Sequence, residues 1–185
     1  MLQTKRALFL DRDGVINEDL GYVSSIDKLI FKPDIFTVSK FFFDKGYLVI
    51  IVTNQSGIAR GFYTLKNFEK ITEYISEQFK AFGVNITETF FCPHLPGAKL
   101  KEYDKICDCR KPKAGMILSA ADKYNLNLHN SILIGDNISD TIAGNSAGIK
   151  NNFLLVDKKN SNKKTNYYEE VSRLSDILNK DLNID

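Results

Sequence analysis

The chain has 185 residues, 43% of them hydrophobic, enough for one sizeable core and short for two, so a single domain over residues 1–185 is expected. Its 25 basic and 23 acidic residues, spread along the whole length for a formal charge of +2, give no electrostatic footprint for nucleic acid or an acidic membrane, and a small-molecule partner is expected. Only four apolar residues, Ala7 to Leu10, separate the polar N-terminus from Asp11, too few for a signal-peptide core or a membrane span, which predicts a cytoplasmic protein.

In chain order, the run Ala7 to Leu10 reads as a first strand, Pro33 to Lys45 as an amphipathic helix closed by Gly46, and Leu48 to Val52 as a second strand. Leu65 to Phe82 carries apolar residues at Phe68, Ile71, Ile75 and Phe79, the spacing of a helix face. Glu88 to Cys92 is a further apolar run. Helices are then expected over Ala114 to Tyr124 and Ser139 to Ala147, strands over Ile132 to Ile134 and Asn152 to Val156, and a closing surface helix over Tyr167 to Leu182. The stretch Asp157 to Asn166 is polar and biased in composition. Strands apolar on both faces that alternate with helices of ten or more residues predict an α/β fold with a parallel sheet covered on both sides, whose ligands gather at the carboxyl ends of the strands.

The first strand runs into F-L-D-R-D-G. The period of two puts Asp11 and Asp13 on one side of the chain, while Gly14 permits a tight turn away from the sheet. Two carboxylates held together repel unless a cation or proton lies between them, so the pair fits a bound Mg²⁺ with one Asp as nucleophile and the other as acid/base; capping of a following helix is the plainer alternative. The second strand ends in Thr53 and Asn54, whose hydroxyl and amide suit phosphate oxygens and ordinary turns equally. Arg110 and Lys111 in C-R-K-P are by themselves ordinary surface charge. The third strand ends in G-D-N-I-S-D, with Asp136 and Asp140.

Cys92-Pro-His94 and Cys107-Asp-Cys109 are separated by twelve residues. Three sulfurs and one imidazole are the donor set of a closed structural Zn²⁺ site, against the alternative of three buried thiols and an unrelated histidine. The intervening loop has little apolar content and needs such a staple, and its second knuckle runs directly into Arg110 and Lys111. His129, in a turn before the third strand, is expected to be inert.

D-x-D-G, then T-N, then Lys111, then G-D-x-x-x-D resembles, in order and spacing, the four motifs of the haloacid dehalogenase superfamily of phosphotransferases over residues 7–156. The resemblance implies a three-layer Rossmann-like fold without a large cap domain, attack on phosphorus by Asp11 with Asp13 as acid/base, Thr53 and Lys111 on the transferring group, and Mg²⁺ held by Asp11, the Asp13 carbonyl and Asp136. With the zinc loop, L-D-R-D-G-V-I-N-E-D-x-G-Y-V, T-N-Q-S-G-I-A-R-G-F-Y-T and C-D-C-R-K-P-K are similar to the D-glycero-D-manno-heptose 1,7-bisphosphate phosphatases of lipopolysaccharide-precursor synthesis. That likeness implies hydrolysis of the 7-phosphate by a monomer, with Asp19, Gly21, Tyr22, Thr53, Asn54, Gln55, Ser56, Arg60, Arg110, Lys111 and Asn137 around the sugar phosphate. Two positions depart from that pattern: Asn137 stands where the family commonly has Lys, and Asp34 where it has Gly. Histidinol-phosphate phosphatase is the enzymatic alternative, and a catalytically inactive zinc-stabilised binding module the alternative from another class.

Overall fold

A computed structural model describes residues 4–157, 163–180 and 182. Six strands form one parallel sheet in the order β3-β2-β1-β4-β5-β6: β1 (Arg6–Leu10), β2 (Tyr47–Asn54), β3 (Ile86–Cys92), β4 (Ile132–Gly135), β5 (Asn151–Leu155) and β6 (Glu169–Val171). The crossovers carry the helices α1 (Ile35–Asp44), α2 (Ser56–Ala59), α3 (Leu65–Ala81), α4 (Gly115–Tyr124) and α5 (Ile138–Ser146).

The alternation of side chains along the central strands divides the core. Leu8 and Leu10 of β1, Val49 and Ile51 of β2, and Ile132 and Ile134 of β4 meet Ile35, Val38 and Phe42 of α1 and Ile71, Ile75 and Phe79 of α3. On the opposite face, Ala7, Phe9, Ile50, Val52 and Leu133 meet Met116, Ile117 and Ala120 of α4 and Ala143 of α5. Both faces of the sheet are covered, as the continuous apolar runs require. The segment between β1 and α1 holds only a 3-10 turn, Ile26–Lys28, and no cap domain sits over the sheet among the described residues. No helix among them is long and apolar enough to cross a membrane.

The expected elements lie within two residues of those observed, with one exception. Instead of a closing helix over Tyr167 to Leu182, the chain forms the edge strand β6, paired with β5 through Leu155 and Val171, and then a 3-10 helix, Leu174–Asn179. Val171, Leu174 and Ile177 recur at intervals of three, which fits the 3-10 repeat as well as an α-helix, and all three are buried in the α1/α3 half of the core. Arg173 precedes the turn with an extended backbone, its N–H donating to Asp176 Oδ2 at 3.0 Å, and this cap marks where the 3-10 helix begins. Part of the polar stretch Asp157 to Asn166 falls outside the described residues.

Candidate active site

β1 pairs with β2 on one side and with β4 on the other, so the connections diverge at its carboxyl end and open a crevice there. Asp11 extends the ladder by one rung, its N–H donating to Ile134 O at 3.0 Å. Thr53 and Asn54 end β2, and Asp136 follows β4. Gly14, at φ 86°, turns the chain away, and a Cβ there would stand 1.9 Å from Asp136 Oδ2, so only glycine lets the two loops close together. The crevice is a cavity of about 640 Å³.

Lys111 enters this crevice from the loop between the two halves of the sheet and is 4% exposed. Its Nζ lies 2.9 Å from Asp11 Oδ1 and 2.7 Å from Asp140 Oδ1, and donates to Val52 O at 2.9 Å, so the ammonium is held between two carboxylates and a carbonyl. The amide of Asn54 clamps the backbone that delivers it, Nδ2 donating to Lys111 O and Oδ1 accepting from Lys111 N, both at 3.1 Å. Oxygens of Asp11, Asp136 and Asp140 lie within 4.8 Å of one another. One ammonium faces three carboxylates. Burial, with Asp140 and Asp136 adding to it and Lys111 opposing, raises Asp11 to about 7; burial, Asp140 and Asp19 raise Asp136 to about 6. Such a cluster of hard oxygens fits a divalent cation. Asp140 stands in G-D-N-I-S-D with no role assigned by the sequence; the spacing of four from Asp136 brings it to the site, and its Oδ2 also accepts from the N–H of Asn137 at 3.0 Å.

Asp13 lines the same cavity in different company. Arg12 Nε and Nη2 donate to its Oδ1 at 3.1 and 2.9 Å, and Nη2 reaches Oδ2 at 2.7 Å. Asn17 Nδ2 adds a bond to Oδ1 at 3.0 Å and Gln55 Nε2 one to Oδ2 at 3.0 Å. Arg12 is only 1% exposed, an interior guanidinium that no local sequence pattern marks as buried. Asp11 thus faces carboxylates, one ammonium and the Arg12 N–H, which donates to its Oδ1 at 2.7 Å, whereas the recorded partners of Asp13 are side-chain donors.

Asp19, Gly21, Tyr22, Ser56, Arg110 and Asn137 line the cavity as expected positions around a substrate. Tyr22 meets Phe62 edge-on, ring centroids 4.7 Å apart, which joins the loop after β1 to the loop after β2. Two expected substrate residues stand elsewhere. Arg60 is exposed and outside the cavity lining. Gln55 is 1% exposed, and its amide is used inside the protein by Asp13, Thr53 and Tyr63. His129 is exposed and away from the cavity.

The second cluster is beneath the rim. The sulfurs of Cys92, Cys107 and Cys109 lie 3.1 to 3.5 Å apart, His94 Nδ1 lies 3.3 Å from Cys109 Sγ and 3.7 Å from Cys92 Sγ, and all four donors fall within 4.8 Å of one another. That donor set and spacing fit a closed tetrahedral zinc site. Arg110 Nη1 donates to His94 O at 3.3 Å, which links the knuckle to the cavity rim.

A family model described as HAD-hydrolase-like matches residues 108–178. The chain is 43% identical over 174 residues to D-glycero-alpha-D-manno-heptose-1,7-bisphosphate 7-phosphatase of Campylobacter jejuni, covering 94% of each chain. It is 46% identical over 156 residues to D-glycero-beta-D-manno-heptose-1,7-bisphosphate 7-phosphatase of Helicobacter pylori, covering 84% of this chain and 86% of that one. Its fold matches the crystal structure of D,D-heptose 1,7-bisphosphate phosphatase from B. bronchiseptica, complexed with magnesium and phosphate, at a TM-score of 0.79 and 27% identity, covering 93% and 95% of the two chains.

Lys111→Met leaves Asp11 and Asp140 without their cation, and urea unfolding is expected to show a loss of about 3–5 kcal/mol, part of it recovered by adding Asp140→Asn. Metal analysis is expected to find one zinc per chain, bound by Cys92, His94, Cys107 and Cys109. Chelation should lower Tm and open the loop to trypsin at the exposed Lys99, Lys101 and Lys105; equal resistance with and without the chelator contradicts the staple.

Proposed function

Since the chain belongs to the D-glycero-D-manno-heptose-1,7-bisphosphate 7-phosphatase family of haloacid dehalogenase-like hydrolases, we propose that it hydrolyses the 7-phosphate of a heptose 1,7-bisphosphate through an aspartyl-phosphate on Asp11. The observation that carries the reading is the convergence of Asp11, Asp13, Thr53, Lys111 and Asp136 on one cavity from four separate segments of the chain. The carboxylate of Asp11 attacks phosphorus; the bond to the sugar oxygen breaks, and the departing alkoxide takes a proton from Asp13. Water then attacks the phosphoryl group on Asp11, Asp13 accepts its proton, and phosphate leaves with Asp11 regenerated. Thr53 and the Lys111 ammonium face the equatorial oxygens, where charge must be held through the transfer.

Asp11, Asp136 and the backbone carbonyl of Asp13 would hold Mg²⁺, with Asp140 in the same carboxylate cluster, and the ion supplies charge neutralisation for the nucleophile and the transferring group. The zinc knuckle has no open position and is structural. Arg110 at the rim is bonded to a carbonyl, and no carboxylate pairs with it among the described residues, so its fork is available to a second phosphate. That supports a bisphosphate over histidinol phosphate. We infer a monomeric enzyme that acts on its small-molecule substrate in the cytoplasm.

Phosphate release from the heptose 1,7-bisphosphate anomers and from histidinol phosphate, compared as kcat/KM, is expected to favour a bisphosphate by roughly tenfold or more, since the monophosphate leaves Arg110 without its partner. Faster turnover of histidinol phosphate overturns the substrate assignment, and Asp11→Asn should cut kcat on the order of 10³-fold or more.

Magnesium binding should be linked to pH in a defined direction. In the metal-free protein Asp11 and Asp136 hold protons up to about 7 and about 6, against 3.8 for an ordinary Asp, so between these values the folded state binds more protons than the unfolded chain and its stability falls as pH rises. Mg²⁺ displaces those protons, and the rise in Tm on adding it should be larger at about pH 8 than at about pH 5. Thermal scans with and without Mg²⁺ at both pH values check the sign.

A further inference from the structure

Gln55 and Tyr63 lie just behind the two groups that would handle the phosphoryl oxygens and the proton. The backbone N–H of Gln55 donates to Cys92 O at 2.8 Å, which ties the residue to the end of β3. Its side-chain Nε2 donates to Thr53 Oγ1 at 2.9 Å and to Asp13 Oδ2 at 3.0 Å, while its Oε1 accepts from the Tyr63 hydroxyl at 2.5 Å. An amide can present either end. Turned over, Gln55 would set a carbonyl oxygen against the Asp13 carboxylate, with neither side able to donate.

Two features keep it the right way round. Burial pushes the Tyr63 phenol up to about 12, so it remains a donor at any working pH. The ring occupies a slot that exists because residue 57 is glycine: a Cβ there would stand 2.2 Å from Tyr63 Cε1 and 2.7 Å from its Cζ. Tyr63 packs there with Ile58 and Phe68 in a small apolar cluster separate from the main core. The consequence for Thr53 is geometric. With one lone pair of its oxygen taken by Gln55, and no acceptor for its own proton among the described residues, the hydroxyl is left to donate into the cavity that Thr53 lines.

We propose that Tyr63 and Gln55 are positioning residues, Tyr63 orienting the Gln55 amide so that it turns the Thr53 hydroxyl toward the transferring phosphoryl group and holds Asp13 beside it. This rests on the phosphatase reading above. Gln55 does not line the cavity, and Tyr63 borders it with its hydroxyl committed to Gln55; each acts through Thr53 and Asp13.

The test is a double-mutant cycle on kcat, with Tyr63→Phe and Gln55→Met made singly and together, and each variant's fold checked by circular dichroism and Tm. Tyr63→Phe deletes one hydroxyl and should lower kcat roughly threefold to tenfold with KM little changed, while Gln55→Met should cost more. In the Gln55→Met background Tyr63→Phe should then change kcat less than about twofold, because the link it works through is gone. Losses that multiply independently, or a loss confined to KM, overturn the relay. A second readout needs no turnover: the side-chain amide protons of Gln55, followed by NMR, should be slow to exchange in the unmodified protein and should shift and exchange faster in Tyr63→Phe. Unchanged amide signals refute the relay even in an active enzyme, whereas an unmodified protein that hydrolyses no phosphomonoester refutes the phosphatase reading and leaves the NMR result to decide the relay.

Discussion

Lys111 must place an ammonium in a nearly waterless interior, and the surrounding structure is arranged to make that tolerable. The desolvation of such an ion costs several kcal/mol unless opposite charge and hydrogen bonding offset it. Here the offsetting groups come from three parts of the chain: Asp11 after β1, the Val52 carbonyl in β2, and Asp140 in the first turn of α5. The two strands and the helix must therefore meet at one point, and the loop carrying Lys111 has to be delivered to it. Asn54 does part of that delivery by pairing with both backbone groups of Lys111. The four-donor knuckle immediately upstream does the rest.

The same arrangement separates the two aspartates that sequence alone presents as twins. Asp11 is buried beside Asp136 and Asp140, and burial first, with these charges adding to it and Lys111 opposing, favours its protonated form. Asp13, two residues on, is surrounded by Arg12, Asn17 and Gln55, every one of them donating. One short motif thus sets its two carboxylates in different surroundings, one beside other carboxylates and the other among donors.

Much of this was legible in the residues. The strands are continuous apolar runs, and the helices carry their apolar faces at the expected period, so the sheet and the crevice at its carboxyl end could be placed in advance. Asp11, Thr53, Lys111 and Asp136 were recoverable because each follows directly on a strand or sits next to a metal-like cysteine pattern. The C-terminal segment was not, since an interval of three serves two helical repeats and the edge of β5 was free to take a strand. Arg12, Tyr63 and the burial of Gln55 were hidden for another reason. Their partners are fixed by how β1, β2 and the loop after β2 fold over one another, and no local spacing encodes that a tyrosine eight residues beyond an amide will donate to it. Arg60, on the same loop, has the residue type of a phosphate ligand and faces solvent.

An open sheet without a cap has no closing domain to exclude water or to select a substrate, and both tasks fall to side chains on short loops. Loops are ordinarily the mobile part of a fold, so their geometry has to be imposed by something stronger than their own packing. This protein uses a different restraint for each. The loop after β1 is joined by Tyr22 to Phe62 of the loop after β2; the latter is seated by Tyr63 in the space left at Gly57; and the long loop before α4, poor in apolar residues, converges its four soft donors on one point. The restraints differ in what they resist. An aromatic contact of about 1 kcal/mol yields to an arriving sugar, whereas a metal-closed knuckle does not. Arg110 is bonded to that knuckle, and Tyr22 is not. On the proposed reading, the guanidinium at the rim would be a fixed reference for a second phosphate, while the aromatic side of the cavity would adjust to the ring between the two phosphates.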